Sequence, residues 1–191
     1  HGGPELSLPR RAGDGRGMIP TFRFLSLLFL VHAATSPPTP APTTDGCVSD
    51  GSVASAQKIS NLYGDMPYTI SSDDRFGTSS ASLGDLNNDG VRDLLVTAIY
   101  DDDGGTDAGA AYVLFLTSDG LVKSAQKISN SYGNLPYTLD TLDYFDYGAT
   151  CLGDQDGDGV ADVAIGALLD DDGGTSTGAA YVLFLTTDGA V

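Results

Sequence analysis

Two short apolar runs, Asp93 to Tyr100 (DLLVTAIY) and Ala110 to Thr117 (AAYVLFLT), stand out in a chain otherwise rich in Asp, Gly, Ser and Thr. Both are dense in β-branched and aromatic residues and are bounded by Asp/Gly clusters, so they predict strands rather than helices. Their hydrophobicity is nearly continuous instead of alternating. Such strands are covered on both faces, as between stacked sheets. Thr78 to Leu83 and Val122 to Ile128 alternate weakly and bring the count to about four strands per unit. Turn signals separate them at Asn88-Asp89-Gly90, Asp103-Gly104-Gly105 and Ser118-Asp119-Gly120. No sustained helical period appears outside Phe24 to Val31, and the pattern specifies an all-β fold.

The pattern occurs twice. Ser55 to Val122 overlays Ser124 to Val191 without a gap at an offset of 69, with more than half the positions identical. SAQKISN recurs at Ser55 and Ser124, DDDGGT at Asp101 and Asp170, and YVLFLT at Tyr112 and Tyr181. Cys47 to Val53 (CVSDGSV) aligns with the Leu116 to Val122 tail of the first copy and reads as the remnant of an earlier unit. The expected repeat units are therefore 47–123 and 124–191. Tandem four-stranded antiparallel sheets are the units of a β-propeller, while a stacked β-solenoid or β-sandwich-like unit has the same local pattern. Propellers close with typically four to eight blades. Two units form an incomplete propeller, so the open repeat ends are expected either to continue in a longer chain or to meet neighbouring molecules.

Each copy carries an Asp-rich loop. Asp85-Leu86-Asn87-Asn88-Asp89-Gly90-Val91-Arg92-Asp93 and Asp154-Gln155-Asp156-Gly157-Asp158-Gly159-Val160-Ala161-Asp162 share the pattern D-x-[DN]-x-D-G-x-x-D. Oxygens at the first, third and fifth positions converge when such a loop curls around a hard cation, and Gly at the sixth permits the sharp turn. The backbone carbonyl of Val91 or Val160 and the carboxylate of Asp93 or Asp162 complete the expected Ca2+ shell. An EF-hand needs Glu at the twelfth position and flanking helices; Val96 and Ile165 stand there instead. A polar hairpin turn is the competing reading, because Asp, Asn and Gly dominate turns for reasons unrelated to metal. Recurrence in register favours the cation. The second loop has one more carboxylate than the first, Asp156 in place of Asn87, and is expected to bind more tightly. Asp101-Asp102-Asp103 and Asp170-Asp171-Asp172 precede Gly-Gly-Thr and read as solvated turns, with a weaker cation site as the alternative.

A net charge of −17 makes phosphate backbones and anionic membrane surfaces poor partners and divalent cations good ones. Residues 1–17 read as an upstream segment. Residues 18–34 have the layout of a secretory signal peptide, with an apolar core too short to span a bilayer. Residues 35–46 (TSPPTPAPTT and the two that follow) read as a Pro/Thr-rich linker open to O-glycosylation, making the product a glycoprotein. A secreted, extracellular or cell-surface location follows, with no membrane insertion of the mature chain. Cys47 and Cys151 are candidates for a disulfide in that compartment. Both histidines, His1 and His32, lie outside the repeats, so a His-based triad or zinc site is not expected there. Duplicated carboxylates suit scaffolding better than a single catalytic pocket, and the chain is not expected to be an enzyme.

Phe76-Gly77, then Asp85 to Asp93, then Thr97-Ala98-Ile99 resemble the FG-GAP repeats of integrin α-subunit β-propellers. The second copy follows with Phe145-Asp146, Asp154 to Asp162 and Gly166-Ala167-Leu168. The departures are Asp146 for Gly, Thr97 for Gly, and Ile99 and Leu168 for Pro. The resemblance implies propeller blades with calcium at the rim, in a protein for cell adhesion that recognises other extracellular proteins or glycans. The alternative is a structural subunit that self-assembles head to tail into an extracellular filament or fibre. Tyr63, Tyr68, Tyr132, Tyr137 and Tyr144 are candidates for glycan contact, with core or loop packing the competing use.

Overall fold

The computed structural model describes residues 52–191. The readings of residues 1–17, 18–34 and 35–46, and of Cys47 and its pairing, lie outside them. Seven strands follow in order: β1 (Phe76–Gly84), β2 (Asp93–Ala98), β3 (Ala110–Leu116), β4 (Val122–Ile128), β5 (Phe145–Gly153), β6 (Asp162–Ala167) and β7 (Ala179–Leu183). They form a four-stranded sheet in the order β1-β2-β3-β4 and a three-stranded sheet in the order β5-β6-β7, all neighbours antiparallel. The architecture is all-β, with no helix among the described residues.

Three details depart from the sequence reading. β1 runs from Phe76 to Gly84, longer than expected, because its mostly exposed polar residues still pair with β2 through two register irregularities. Ile99 and Tyr100 turn instead of extending β2; the Tyr100 amide donates to the Asp74 carbonyl at 3.2 Å and the Asp101 amide to Ala98 at 3.1 Å. The third departure concerns phase. The SAQKI segment that opens the second sequence copy is β4, the last strand of the first sheet. The second sheet consequently has three strands among the described residues, not four.

The main core lies between the sheets. Leu83, Leu95, Ala111, Val113 and Phe115 from the first sheet pack with Phe145, Val163, Ile165, Tyr181 and Leu183 from the second. Alternate residues of β3 face the other way: Tyr112 and Leu114 join Val96, Ala98 and Val122 in a second cluster, covered by Ile59, Met66, Tyr68 and Phe76. β3 is thus buried on both faces, as its continuous hydrophobicity requires. β7 is not: Val182, and Phe184 just past the strand's end, are about half exposed. Backbone bonds add to the junction, from Phe145 to Ala108 at 2.9 Å and from Leu142 to Thr106 at 3.0 Å, as does the Ala149 amide on the Ser79 hydroxyl at 3.1 Å.

Asp146 is the anomaly of this interior. It stands where the first copy has Gly77, at φ 113° against 97°, a backbone region that suits glycine. It is fully buried, and neither carboxylate oxygen has a hydrogen-bond partner. The neighbouring Thr97 hydroxyl is already committed to the Ser79 backbone, accepting from its amide at 2.8 Å and donating to its carbonyl at 3.1 Å. Burial therefore dominates and pushes the carboxyl up to about 9, only weakly opposed by Thr97 and Ala98. The folded state keeps this proton after the unfolded chain has lost it. Between the ordinary carboxylate range and about pH 9, stability falls as pH rises, by at most about 1.4 kcal/mol per pH unit. Asp146→Gly and Asp146→Asn should both be more stable than the parent near pH 8, with the gap closing near pH 4. Thermal melts of the three proteins across that range test this, and a gap independent of pH would refute the burial of a protonated carboxyl.

Candidate cation-binding loops

The Asp-rich loops are the β1–β2 and β5–β6 connections, closing where Gly84 pairs with Asp93 and Gly153 with Asp162. The ninth-position carboxylates are buried and act as struts. Asp93 accepts from the Leu86 amide at 2.9 Å and from the Leu116 amide, at the end of β3, at 3.2 Å. Asp162 accepts in the same way from Gln155 at 2.8 Å and Leu185 at 3.1 Å. Asp93 thereby ties its loop to the end of β3, and Asp162 ties its loop to the residues just past β7. Burial raises the Asp93 carboxyl above its usual range, against the pull of the Leu116 and Leu86 amides.

The first-position Asp organises the turn. Asp85 accepts from the amides of Asp89 and Gly90, both at 2.8 Å. Asp154 accepts from Gly157 at 2.6 Å and Gly159 at 3.0 Å. The fifth-position carboxylates accept from the residue two further on, Asp89 from Val91 at 3.0 Å and Asp158 from Val160 at 2.7 Å. Here the loops diverge. In the first, the other oxygen of Asp89 meets the Lys123 ammonium at 3.0 Å and the Asn87 amide at 3.2 Å, and Lys123 holds its carboxyl below the usual range. In the second, oxygens of Asp154, Asp156 and Asp162 lie within 4.8 Å of one another.

That spacing is a test of fit. Two oxygens on a sphere of radius roughly 2.3–2.6 Å around Ca2+ can be no more than about 5 Å apart. The three carboxylates of the second loop satisfy this limit, and hard anionic oxygen is the right chemistry for calcium. Asp158 is not in the convergent group. The first loop offers Asn87 in place of one carboxylate and has Lys123 on another. The exposed Lys123–Asp89 pair contributes little to stability, but a cation at Asp89 must displace it.

The second acidic cluster corrects its sequence reading. Asp101 and Asp170 are buried, not solvated, while Asp102, Asp103, Asp171 and Asp172 are exposed. The hydroxyl of Tyr112 donates to Asp101 at 2.6 Å, and that of Tyr181 to Asp170 at 2.6 Å. Burial first, then the carboxylate, pushes both phenols above their ordinary range, so each remains a donor. Lys127 on β4 completes the first network, with its ammonium 2.7 Å from Asp101 and in contact with Asp103. The recurring Asp101 and Asp170 were visible in the sequence; the lysine that neutralises one of them lies 26 residues downstream, across a repeat boundary. Of the tyrosines, Tyr68 packs on Tyr112 and Tyr137 on Tyr181, with ring centres 5.7 and 5.6 Å apart. Tyr63, Tyr132 and Tyr137 keep about half of their surface exposed.

Comparison with known proteins places this geometry. Residues 76–114, from β1 into β3, match the FG-GAP repeat family. The chain is similar to Integrin alpha pat-2 of Caenorhabditis elegans, 37 % identical over 97 residues that cover 49 % of this chain and 7 % of that protein. It is 36 % identical to Integrin alpha-4 of Xenopus laevis over 101 residues, 51 % of this chain and 9 % of that protein. Integrin alpha-2 of Mus musculus is 33 % identical over 96 residues, 49 % of this chain and 8 % of that protein. The chain thus spans less than a tenth of the length of these relatives and matches the FG-GAP repeat over residues 76–114. The antiparallel sheets are consistent with FG-GAP propeller blades. Among the described residues no helix is long and apolar enough to cross a membrane.

The two loops should differ in calcium affinity, the second binding more tightly. Asn87→Asp and Lys123→Gln should each tighten the first loop by up to about tenfold, the former by adding a carboxylate and the latter by removing a competing cation. Asp156→Asn should weaken the second by a similar factor. Calorimetric titration of each variant checks the order; equal affinities in the parent, unmoved by these changes, would refute it.

Proposed function

We propose that this FG-GAP-bearing chain is an extracellular calcium-binding module for adhesion or for interaction with other proteins or glycans, in which Ca2+ serves a structural role. The observation that carries the reading is the convergence of Asp154, Asp156 and Asp162 within 4.8 Å in a loop that the sequence duplicates. Asp158 and the Val160 carbonyl would join those three, and Asp85, Asn87, Asp89, Val91 and Asp93 would hold the weaker ion of the first loop. Calcium would neutralise carboxylates that the loops crowd together and would brace the β5–β6 connection through Asp162, which already reaches the Leu185 amide beyond β7. No step of chemistry is required of the cation.

Extracellular modules bind calcium with dissociation constants of roughly 10⁻⁴ to 10⁻³ M. At ten to a hundred times that concentration, each filled loop adds about 1.4 to 2.7 kcal/mol. Melting temperature should therefore rise by several degrees with millimolar CaCl2, much less with MgCl2, and return to baseline with a chelator. Asp154→Asn combined with Asp156→Asn should remove most of the rise. A melting temperature indifferent to calcium would overturn the structural role.

A further inference from the structure

Two departures from the sequence repeat meet at one point of the fold. Where the first copy has Tyr100 the second has Leu169, and where the first has Arg75 the second has Tyr144. Tyr100 lies just past β2, in the β2–β3 connection, and Tyr144 is the last residue before β5, so each copy supplies one ring. Their centres are 5.2 Å apart. The Arg75 guanidinium sits over the Tyr100 ring, 4.4 Å from its centre, and holds that ring in place. Neither tyrosine takes part in the buried acidic networks or in the Asp-rich loops.

The angle between the rings sets this pair apart. Tyr68–Tyr112, Tyr68–Tyr132 and Tyr137–Tyr181 are edge-to-face, with planes 71°, 78° and 73° apart, so the edge of one ring meets the face of the other. Tyr100 and Tyr144 are tilted at 52°. That is neither the edge-to-face nor the stacked arrangement that aromatic pairs prefer, and it is nearer to the twist of two directly joined rings. The backbone fixes the contact from both sides. Tyr144 has φ 53°, as Arg75 does at the equivalent repeat position, a left-handed conformation that bulky residues keep only where their surroundings impose it. The Leu142 amide donates to the Thr106 carbonyl at 3.0 Å and the Phe145 amide to the Ala108 carbonyl at 2.9 Å. These bonds flank Tyr144 and fasten its segment to the connection that carries Tyr100. The Tyr100 amide is itself bound to the Asp74 carbonyl at 3.2 Å.

We propose that Tyr100 and Tyr144 are an oxidative cross-linking site, joined ortho carbon to ortho carbon as dityrosine by hydrogen peroxide and a haem peroxidase. Each phenol loses one electron and one proton and becomes a tyrosyl radical. The two radicals form a single carbon–carbon bond; each joined ortho carbon then releases its proton, and each ring oxygen regains one. The pair loses two hydrogen atoms in all, and the peroxide that takes them up becomes two waters. Rings already held in contact couple more readily than rings that must meet by diffusion. The bond ties the first copy covalently to the second. It is independent of the calcium reading, because no loop ligand takes part.

Oxidation of the full chain at micromolar concentration by a haem peroxidase and hydrogen peroxide, followed by tryptic digestion and mass spectrometry, tests the site. Lys123 and Lys127 lie between the two tyrosines, so trypsin separates Tyr100, in residues 93–123, from Tyr144, in residues 128–191. The expected product joins these two peptides, is two hydrogen atoms lighter than their sum, and shows dityrosine fluorescence. Fragmentation should place the link at Tyr100 and Tyr144, and its yield per chain should not change when the protein is diluted. Tyr100→Phe and Tyr144→Phe keep a ring in place but remove the phenol, and each should lower the yield at least about tenfold. Tyr147→Phe, exposed and in the same peptide as Tyr144, should leave it unchanged. Melting curves that match the parent's should confirm that the variants fold. A link at Tyr112, Tyr132, Tyr137 or Tyr181 instead, a yield that falls on dilution, or a product that survives both Tyr100→Phe and Tyr144→Phe would overturn the proposal. No joined product in the parent chain would overturn it equally, and that result depends on no variant.

Discussion

The ion pair between Lys127 and Asp101 is the interaction on which the arrangement of the two sheets turns. Both side chains are almost wholly buried, at 3 % and 2 % exposure. A buried pair recovers its desolvation cost only with good geometry and additional hydrogen bonds, and removal of one partner typically costs about 3 to 5 kcal/mol. Here the further partners are present: the Tyr112 hydroxyl on Asp101, the Asp103 carboxylate on Lys127, and the ring faces of Tyr112 and Tyr132 around the ammonium. β4 is held by this lysine, and the residues that follow β4 lead into the second sheet. One side chain closes the first sheet and fixes where the next begins.

The strands were legible wherever burial on both faces left a continuous apolar run. β2 and β3 are such runs, and β4 was found with its observed limits because Val122 and Ile128 frame it. β1 was foreshortened because only Leu83 of its nine residues is buried and its pairing with β2 is irregular, so composition does not distinguish its ends from loop. The convergence of Asp154, Asp156 and Asp162 follows from alternate spacing in one short loop and needs no long-range information. The burial of Asp101 does need it. Asp-Asp-Asp-Gly-Gly is turn composition, and its first residue is buried where a tyrosine of the third strand reaches it, Tyr112 at Asp101 and Tyr181 at Asp170. Asp146 was visible as a departure from Phe-Gly, but its cost arises from the Ser79 and Thr97 backbone and hydroxyl bonds that leave it without a partner.

So acidic a chain must neutralise carboxylates one by one, and each solution seen here is graded by burial. Asp89, at the surface, uses the exposed Lys123, a pair that salt can screen. Asp93 and Asp162, buried but hydrogen-bonded, rely on two backbone amides each. Asp101 takes a lysine into the interior. Asp146, whose carboxylate oxygens make no hydrogen bond of good geometry, is pushed up by burial and keeps its proton. Among the described residues, Asp154, Asp156 and Asp162 of the second loop are drawn together without a counter-charge, and that is where a metal ion is most favoured.

A tandem repeat has no intrinsic origin, and the position of the sheet boundary relative to the sequence boundary decides how strongly neighbours are coupled. Had each sequence copy folded into its own sheet, the two would meet through side-chain packing and a few loop hydrogen bonds, with no strand pairing between them. Instead the second copy gives its first residues to the first sheet, so backbone pairing, the Lys127 pair and the apolar core all cross the repeat boundary. In repeat architectures, stability is the sum of unit terms and nearest-neighbour interface terms. Moving the strand across the boundary transfers energy from the former to the latter. Units built this way are weak alone and strong in series.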